Sequence, residues 1–300
     1  MPSLSSRLLV ALLQVTRRKR VYSSVQQVLA GIRQVRQQGP ARPSARMQQR
    51  LLVQHQHIAG IEVYQLAPRT TPARSAQVLY LHGGAYIRPI TTHHWRFLQA
   101  LVERTGCSVT VPLYPLAPEA SGEQAVNAAL AVYQHACAAA KVDAVHVMGD
   151  SAGGGLALAL SFKLREQHAP LPSSLTLICP WLDVSMQHPD IATTEPRDPM
   201  LAAIGLREAG RLYAGELGVQ HPLISPLHGE LSGLPSLLLF AGTRDIAHHD
   251  ELLFATKARA AGAKVELVVG DGLVHVWPIL PIAEGRQALE RIARQLQAAH

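Results

Sequence analysis

Three hundred residues, 48% of them hydrophobic, are enough for one sizeable core, and α/β folds of this length are commonly single domains. The net charge of +7 belongs to the first fifty residues, which hold ten Arg or Lys and no acid, while the rest carries 18 basic against 21 acidic residues; a general nucleic-acid-binding surface is therefore a poor reading. Three scattered cysteines, Cys107, Cys137 and Cys179, argue against a disulfide framework and for buried thiols in a reducing, cytoplasmic setting.

The N-terminal arm, residues 1–50, reads as helical. Leu8, Leu9, Leu12, Leu13 and Val15 precede the run Arg17-Arg18-Lys19-Arg20, and a second helical stretch, Val21 to Gln38, stops at Gly39-Pro40. The apolar run is short and leads into basic residues in place of a small-residue cleavage site, which is unlike a signal peptide. No segment approaches the about 18–20 apolar residues of a membrane span. Two readings of the arm stand side by side: a cap helix whose leucines face inward, or a basic amphipathic helix lying on an anionic membrane surface.

Apolar runs then alternate with helical stretches. Leu51 to Ile58, Ile61 to Leu66, Gln77 to Leu81, Cys107 to Pro112, Val142 to Met148, Leu175 to Cys179, Leu237 to Ala241 and Val265 to Val269 predict eight strands, helix-linked after the first three. That rhythm predicts a mostly parallel sheet with helices on both faces. Between Val184 and Leu227 it breaks into a proline-containing stretch with a helical piece, Met200 to Gly218. The expected organisation is an arm (1–50), a catalytic core (51–183 and 228–300) and an inserted cap segment (184–227).

Gly149-Asp150-Ser151-Ala152-Gly153 lies between a predicted strand and a small-residue helical run, the setting of a G-x-S-x-G nucleophile elbow. Strand and helix nearly touch in such a turn, so the flanking positions must be tiny, as Gly149 and Gly153 are. Upstream, a buried strand runs into His82-Gly83-Gly84-Ala85-Tyr86. Bare backbone there, from Gly83 and Gly84, together with the N–H of Ala152, would supply donors to the oxyanion of a tetrahedral intermediate. His82 reads as a residue fixing this loop. A serine nucleophile needs a base and an orienting acid, in the chain order Ser, acid, His. Asp245 and His275 each lie just past a predicted strand, where open α/β sheets bind ligands. Asp250 and Asp271 compete for the acid's role, and strand-end position favours Asp245. His248, His249 and Asp250 could suggest a metal site, but no second ligand pair accompanies them, so no metal is expected. His93 and His94 read as the opening of a helix.

These residues resemble the hormone-sensitive-lipase-like branch of the α/β hydrolases, the bacterial HGG-motif esterases. The resemblance runs from about Val78 to Pro278 and rests on His82-Gly83-Gly84, Tyr114-Pro115-Leu116-Ala117-Pro118-Glu119, Gly149 to Gly154, Pro180-Trp181-Leu182-Asp183, and Asp245 with His275. It implies an α/β-hydrolase fold with a helical cap, and a carboxylic ester hydrolase for small-molecule esters of short or medium acyl chains, with a Ser151-Asp245-His275 triad and no cofactor. It also implies that the arm is a cap, with Leu8, Leu9, Leu12 and Leu13 buried, in preference to a membrane contact. Two departures are Ala85, where many members have a third glycine, and Ile246-Ala247, where many have Pro-Leu. An amidase or deacetylase would use the same triad, whereas a binding protein on this scaffold would have lost its histidine. Oligomeric state leaves no trace in the sequence.

Overall fold

The computed structural model describes residues 2–70, 76–140 and 145–298. Helices α1 (Leu4–Val15), α2 (Val25–Gln38) and the short α3 (Ala45–Arg50) lead into a hairpin of β1 (Leu51–Ile58) and β2 (Ile61–Pro68). Alternation follows: β3 (Gln77–Leu81), α4 (Thr92–Thr105), β4 (Ser108–Pro112), α5 (Gly122–Ala140), β5 (His146–Asp150), α6 (Ala152–Glu166) and β6 (Leu175–Ile178). A detour with α7 (Ile191–Thr194) and α8 (Ala203–Ala214) precedes β7 (Leu237–Gly242), α9 (His248–Ala260), β8 (Val265–Gly270) and α10 (Ala283–Ala298). All eight expected strands form; the part of the fifth expected at 142–144 lies outside the described residues.

The strands make one sheet in the order β1-β2-β4-β3-β5-β6-β7-β8. Pairing is antiparallel for β1–β2 and β2–β4 and parallel from β4 onward. The β1–β2 turn is two residues, Ala59 and Gly60, at φ 50° and 79°, the left-handed pair that matches the twist of a hairpin. The central strands β5, β6 and β7 are buried along their whole length, because helices cover both faces. Successive side chains sort to opposite faces. Leu79, Leu81, Val147, Leu175 and Leu239 join the core under α5 and α6, whereas Val78, Tyr80, Met148, Ile178 and Phe240 join the core under α4 and α10. Leu81 pairs with Gly149, Asp150 with Ile178 and Gly242 with Gly270, so the C-terminal ends of β3, β5, β6, β7 and β8 finish level along one edge.

The arm and the detour meet above that edge, with α2 packed on α8. Val28 and Ile32 of α2 are buried, and Gly205 of α8 lies so close to Tyr22 that an added Cβ would stand 2.3 Å from its carbonyl oxygen. Arg36 fastens α2 to the body, donating to Ile87 O at 2.9 Å and Ala117 O at 2.8 Å. Helix α1 is tied end-on to α10: Ser3 N, Ser3 Oγ and Ser6 Oγ all donate to the Glu284 carboxylate, at 2.6, 2.8 and 2.5 Å.

The expected burial of the α1 leucines holds for only part of the helix. Leu9 and Leu13 are half-buried, but Leu8 is 62% and Leu12 58% exposed. The reason is geometric. Helix α1 meets α10 and the turn at residues 18–22 along one side, and a helix touched on one side cannot hide a stripe as wide as four leucines. Among the described residues, no helix is long and apolar enough to cross a membrane.

The contact of Gly205 with Tyr22 gives a direct test of how the arm is seated. We expect Gly205→Ala to push the arm outward, so that trypsin cuts the Arg17–Arg20 run several times faster than in the unaltered protein, since cleavage needs local opening. An unchanged cutting rate, followed by mass spectrometry of the fragments, would show that the arm is held elsewhere.

Candidate active site

The turn between β5 and α6 is built by exclusion. A Cβ on Gly153 would stand 1.9 Å from the Leu81 carbonyl oxygen, and one on Gly149 would stand 2.2 Å from the Gly153 carbonyl oxygen. Strand β5, helix α6 and the end of β3 are thus in backbone contact, and Ser151 between them adopts φ 51°, ψ −120°. A non-glycine residue in that region is strained, and the surrounding contacts must hold it there. They do so from two sides: Ser151 N donates to Ile178 O at 2.8 Å, and Trp181 N donates to Ser151 O at 2.9 Å.

The strained turn aims Ser151 Oγ at His275 Nε2, 2.8 Å away. On the far side of the ring, Nδ1 lies 2.6 Å from Asp245 Oδ2. The other oxygen, Asp245 Oδ1, accepts from Ala247 N at 2.9 Å. Ser151, His275 and Asp245 are 9%, 5% and 0% exposed, so the chain of hydrogen bonds is shielded from water except at the serine. Burial by itself would lower the His275 pKa, but the neighbouring Asp245 carboxylate outweighs it and holds the imidazole above its ordinary 6.5. Both rivals for the acid's place sit elsewhere. Asp271 is exposed, with Thr243 Oγ1 3.4 Å away, and Asp250 is buried near Asp183, with its pKa pushed up to about 7 by burial and by that neighbour.

The loop after β3 requires a correction. Gly83 N donates to Asp150 Oδ1 at 2.8 Å, so that amide is committed to a carboxylate and is not open to an oxyanion. The amides of Gly84 and Ala152 have no acceptor among the described residues. Gly84 sits at φ 131°, which only glycine adopts readily, and Ala85 follows at φ 53°. His82 acts on this loop as expected: its ring stacks on Tyr114 with centroids 4.4 Å apart, and Nδ1 lies 2.7 Å from Gly83 O. Burial pushes its pKa down to about 4, so it is neutral and carries no charge into the site.

Three residues at the site were not singled out from the sequence. Asp150 accepts from Tyr80 Oη at 2.6 Å as well as from Gly83 N, and its other oxygen lies 3.3 Å from His94 Nε2. His94 Nδ1 accepts from Thr91 N at 2.9 Å, which leaves the proton on Nε2 to donate to Asp150. Asp198, in the detour, accepts from Met200 N, Leu201 N and, through Oδ2, from Ile246 N at 3.0 Å, which ties the detour to the loop bearing Asp245. Asp150 was visible only as the residue before the serine in the elbow and His94 only as a helix opener. The Asp198-Pro199 turn gave no signal for a partner 48 residues away.

His248, His249 and Asp250 do not converge. His249 stacks instead on His188, with centroids 5.1 Å apart, beside Asp190, and ligand atoms of those three lie within 4.8 Å of one another. No disulfide joins the three cysteines, all of which lie among the described residues, and Cys107 and Cys179 are buried. Above Ser151 opens a cavity of about 820 Å³, its apolar wall made by Leu9, Leu13, Met200, Leu201 and Ile279 among others. Both the arm and the detour contribute to it.

Residues 78–279 match the family described as the alpha/beta hydrolase fold. An acetyl-hydrolase of Streptomyces hygroscopicus is 34% identical over 76% of this chain and 78% of its own length. A triacylglycerol lipase of Mycobacterium tuberculosis is 33% identical over 76% of this chain, which spans 47% of that longer protein. The crystal structure of a hormone-sensitive lipase from a metagenome library superposes with a TM-score of 0.85 at 26% identity, covering 100% of this chain and 99% of that one.

The raised His275 pKa sets a pH limb. A base must be unprotonated to take a proton, so we expect kcat/KM to fall as pH drops through a value above 6.5. Asp245→Asn should cost on the order of 10⁴ in turnover, because it leaves the ring in the wrong tautomer, while Asp271→Asn changes turnover little. A crippled Asp271→Asn, or a limb below 6.5, would contradict the geometry.

Proposed function

Because this chain belongs to the α/β-hydrolase family, in its hormone-sensitive-lipase-like esterase branch, and is a carboxylic ester hydrolase, we propose that Ser151, His275 and Asp245 are its catalytic triad. The observation that carries the proposal is the continuous line of hydrogen bonds, Ser151 Oγ to His275 Nε2 at 2.8 Å and His275 Nδ1 to Asp245 Oδ2 at 2.6 Å. Ser151 Oγ attacks the ester carbonyl while His275 Nε2 takes its proton. The imidazolium so formed is stabilised by Asp245, which keeps Nδ1 protonated throughout. The oxygen of the tetrahedral intermediate is received by the amides of Gly84 and Ala152, and each such donor is worth roughly 2.7–4 kcal/mol of transition-state stabilisation. His275 then protonates the leaving alcohol. Water, activated by the same imidazole, releases the acid from the acyl-enzyme.

We assign the arm (1–50) and the detour (184–227) to a cap over this centre, set on a core of 51–183 and 228–300. The cavity of about 820 Å³ suits short- to medium-chain acyl groups, and the leucines of α1 on its wall supply apolar contact for them. The outward face of α1, with Leu4, Leu8, Leu12 and Val15 all exposed next to the Arg17–Arg20 run, is the surface on which a peripheral membrane contact would form.

A fluorophosphonate should leave one covalent label, on the peptide carrying Ser151, and Ser151→Ala should abolish both label and p-nitrophenyl ester hydrolysis. A label elsewhere would sink the assignment. Removing residues 1–39 should raise KM steeply for octanoyl esters while acetyl esters change little. Unchanged KM across acyl lengths, together with loss of salt-sensitive binding to anionic vesicles, would assign the arm to a membrane surface instead.

A further inference from the structure

The cavity above Ser151 has a feature that an uncharged ester does not explain. Arg88 lines it, half-buried, and Arg18 stands on the same wall. The Arg88 backbone belongs to the oxyanion loop, since Arg88 N donates to Gly84 O at 2.9 Å. Its guanidinium reaches across to α2, where a Cβ on Gly31 would stand 3.0 Å from Nη2, so the missing side chain at Gly31 makes the room it occupies. The Tyr22 hydroxyl is its neutral neighbour there.

Among the described residues, nothing nearby neutralises this charge. The ion pairs of the described residues engage Arg36, Arg42, Arg50, Arg104, Arg211, Arg291 and Lys163, never Arg88 or Arg18. Among the described residues the one carboxylate on the cavity wall is Asp150, already occupied by Tyr80, Gly83 and His94. Burial, and to a lesser extent the nearby Arg18 charge, push the Arg88 pKa down, the signature of a cation held where it lacks a counter-charge. Removing a charge from water without pairing it is costly, and an anion brought into the cavity would relieve that cost. A guanidinium also binds a carboxylate or phosphate through two parallel hydrogen bonds, which a lysine cannot do.

We propose that Arg88, reinforced by Arg18, binds an anionic group on the substrate, so that the preferred esters carry a carboxylate or phosphate in addition to the scissile bond. The proposal rests on Ser151 being the nucleophile beneath the same cavity. Because Arg88 is anchored to Gly84, the anion would be held by the same loop that receives the oxyanion.

Matched pairs of esters test it. In one pair the charge is on the acyl side, 4-nitrophenyl hemiglutarate against its neutral methyl ester; in the other it is on the leaving group, 4-acetoxybenzoate against 4-acetoxybenzamide. The charged member of at least one pair should have the higher kcat/KM by about tenfold or more, the low end for hydrogen bonds to a charged group. That advantage should shrink as sodium chloride is raised. Arg88→Gln should lower the charged-to-neutral ratio by about the same factor, chiefly through KM, and Arg88→Lys should lie between. Calorimetry with glutarate on Ser151→Ala reads the anion site without turnover. Charged esters no better than neutral ones with no glutarate bound, or a ratio unmoved by Arg88→Gln, would overturn the proposal. If no ester is hydrolysed while glutarate binds, the triad reading fails and the anion site stands.

Discussion

At the catalytic edge, three backbones are pressed together with no room for a side chain between them. The end of β3, the end of β5 and the start of α6 meet at Leu81, Gly149 and Gly153, at distances a single methyl group would violate. From this crowding follow the positive φ of Ser151 and the projection of its hydroxyl beyond the sheet. The Asp150 carboxylate completes the constraint. It sits on the crowded turn and grips the loop after β3 through Gly83 N, so the loop that carries the Gly84 amide and the turn that carries Ser151 are tied to each other. Preorganised dipoles of this kind stabilise developing charge without having to reorient when it appears.

The electrostatics behind the histidine are arranged with similar economy. Asp198 and Glu251 both lie beside Asp245 in the interior, and burial followed by the Asp245 charge raises the pKa of each, Asp198 to about 6 and Glu251 well above the usual carboxyl range. Both effects favour the neutral form of Glu251, and its oxygens have no hydrogen-bond partner among the described residues. The like charges expected from three clustered acids are thus reduced, and His275 faces Asp245 directly. On the other side of the serine the balance reverses: Arg88 and Arg18 line a cavity wall whose described acid, Asp150, is already engaged by Tyr80, Gly83 and His94.

How much of this the sequence could reveal depends on the range of each interaction. Strand positions follow from short apolar runs such as Leu237 to Ala241, and the elbow follows from five adjacent residues, because both are encoded locally. Ser151, His275 and Asp245 were legible for the same reason: each follows a strand, and parallel strands end at one edge. The fate of the Gly83 amide was not legible. Glycine signals that a backbone can approach closely, but not whether its N–H is already taken, and the acceptor lies 67 positions away. The α1 leucines misled in a complementary way. Their spacing announces an apolar face, and only the neighbours a helix finds, here α10 and one turn, decide how much of that face is covered.

The Arg36 contacts have a mechanical consequence. That side chain starts on α2, which roofs the cavity, and ends on the carbonyls of Ile87 and Ala117, the first of them three residues beyond Gly84. A lid hinged independently of the catalytic floor could swing wide while the floor stayed poised. Here the Arg36 guanidinium latches the roof to the floor. Lifting α2 to admit a bulky molecule breaks bonds to the segment that continues the Gly83-Gly84 loop, so access and readiness are drawn from the same set of contacts, and widening one loosens the other.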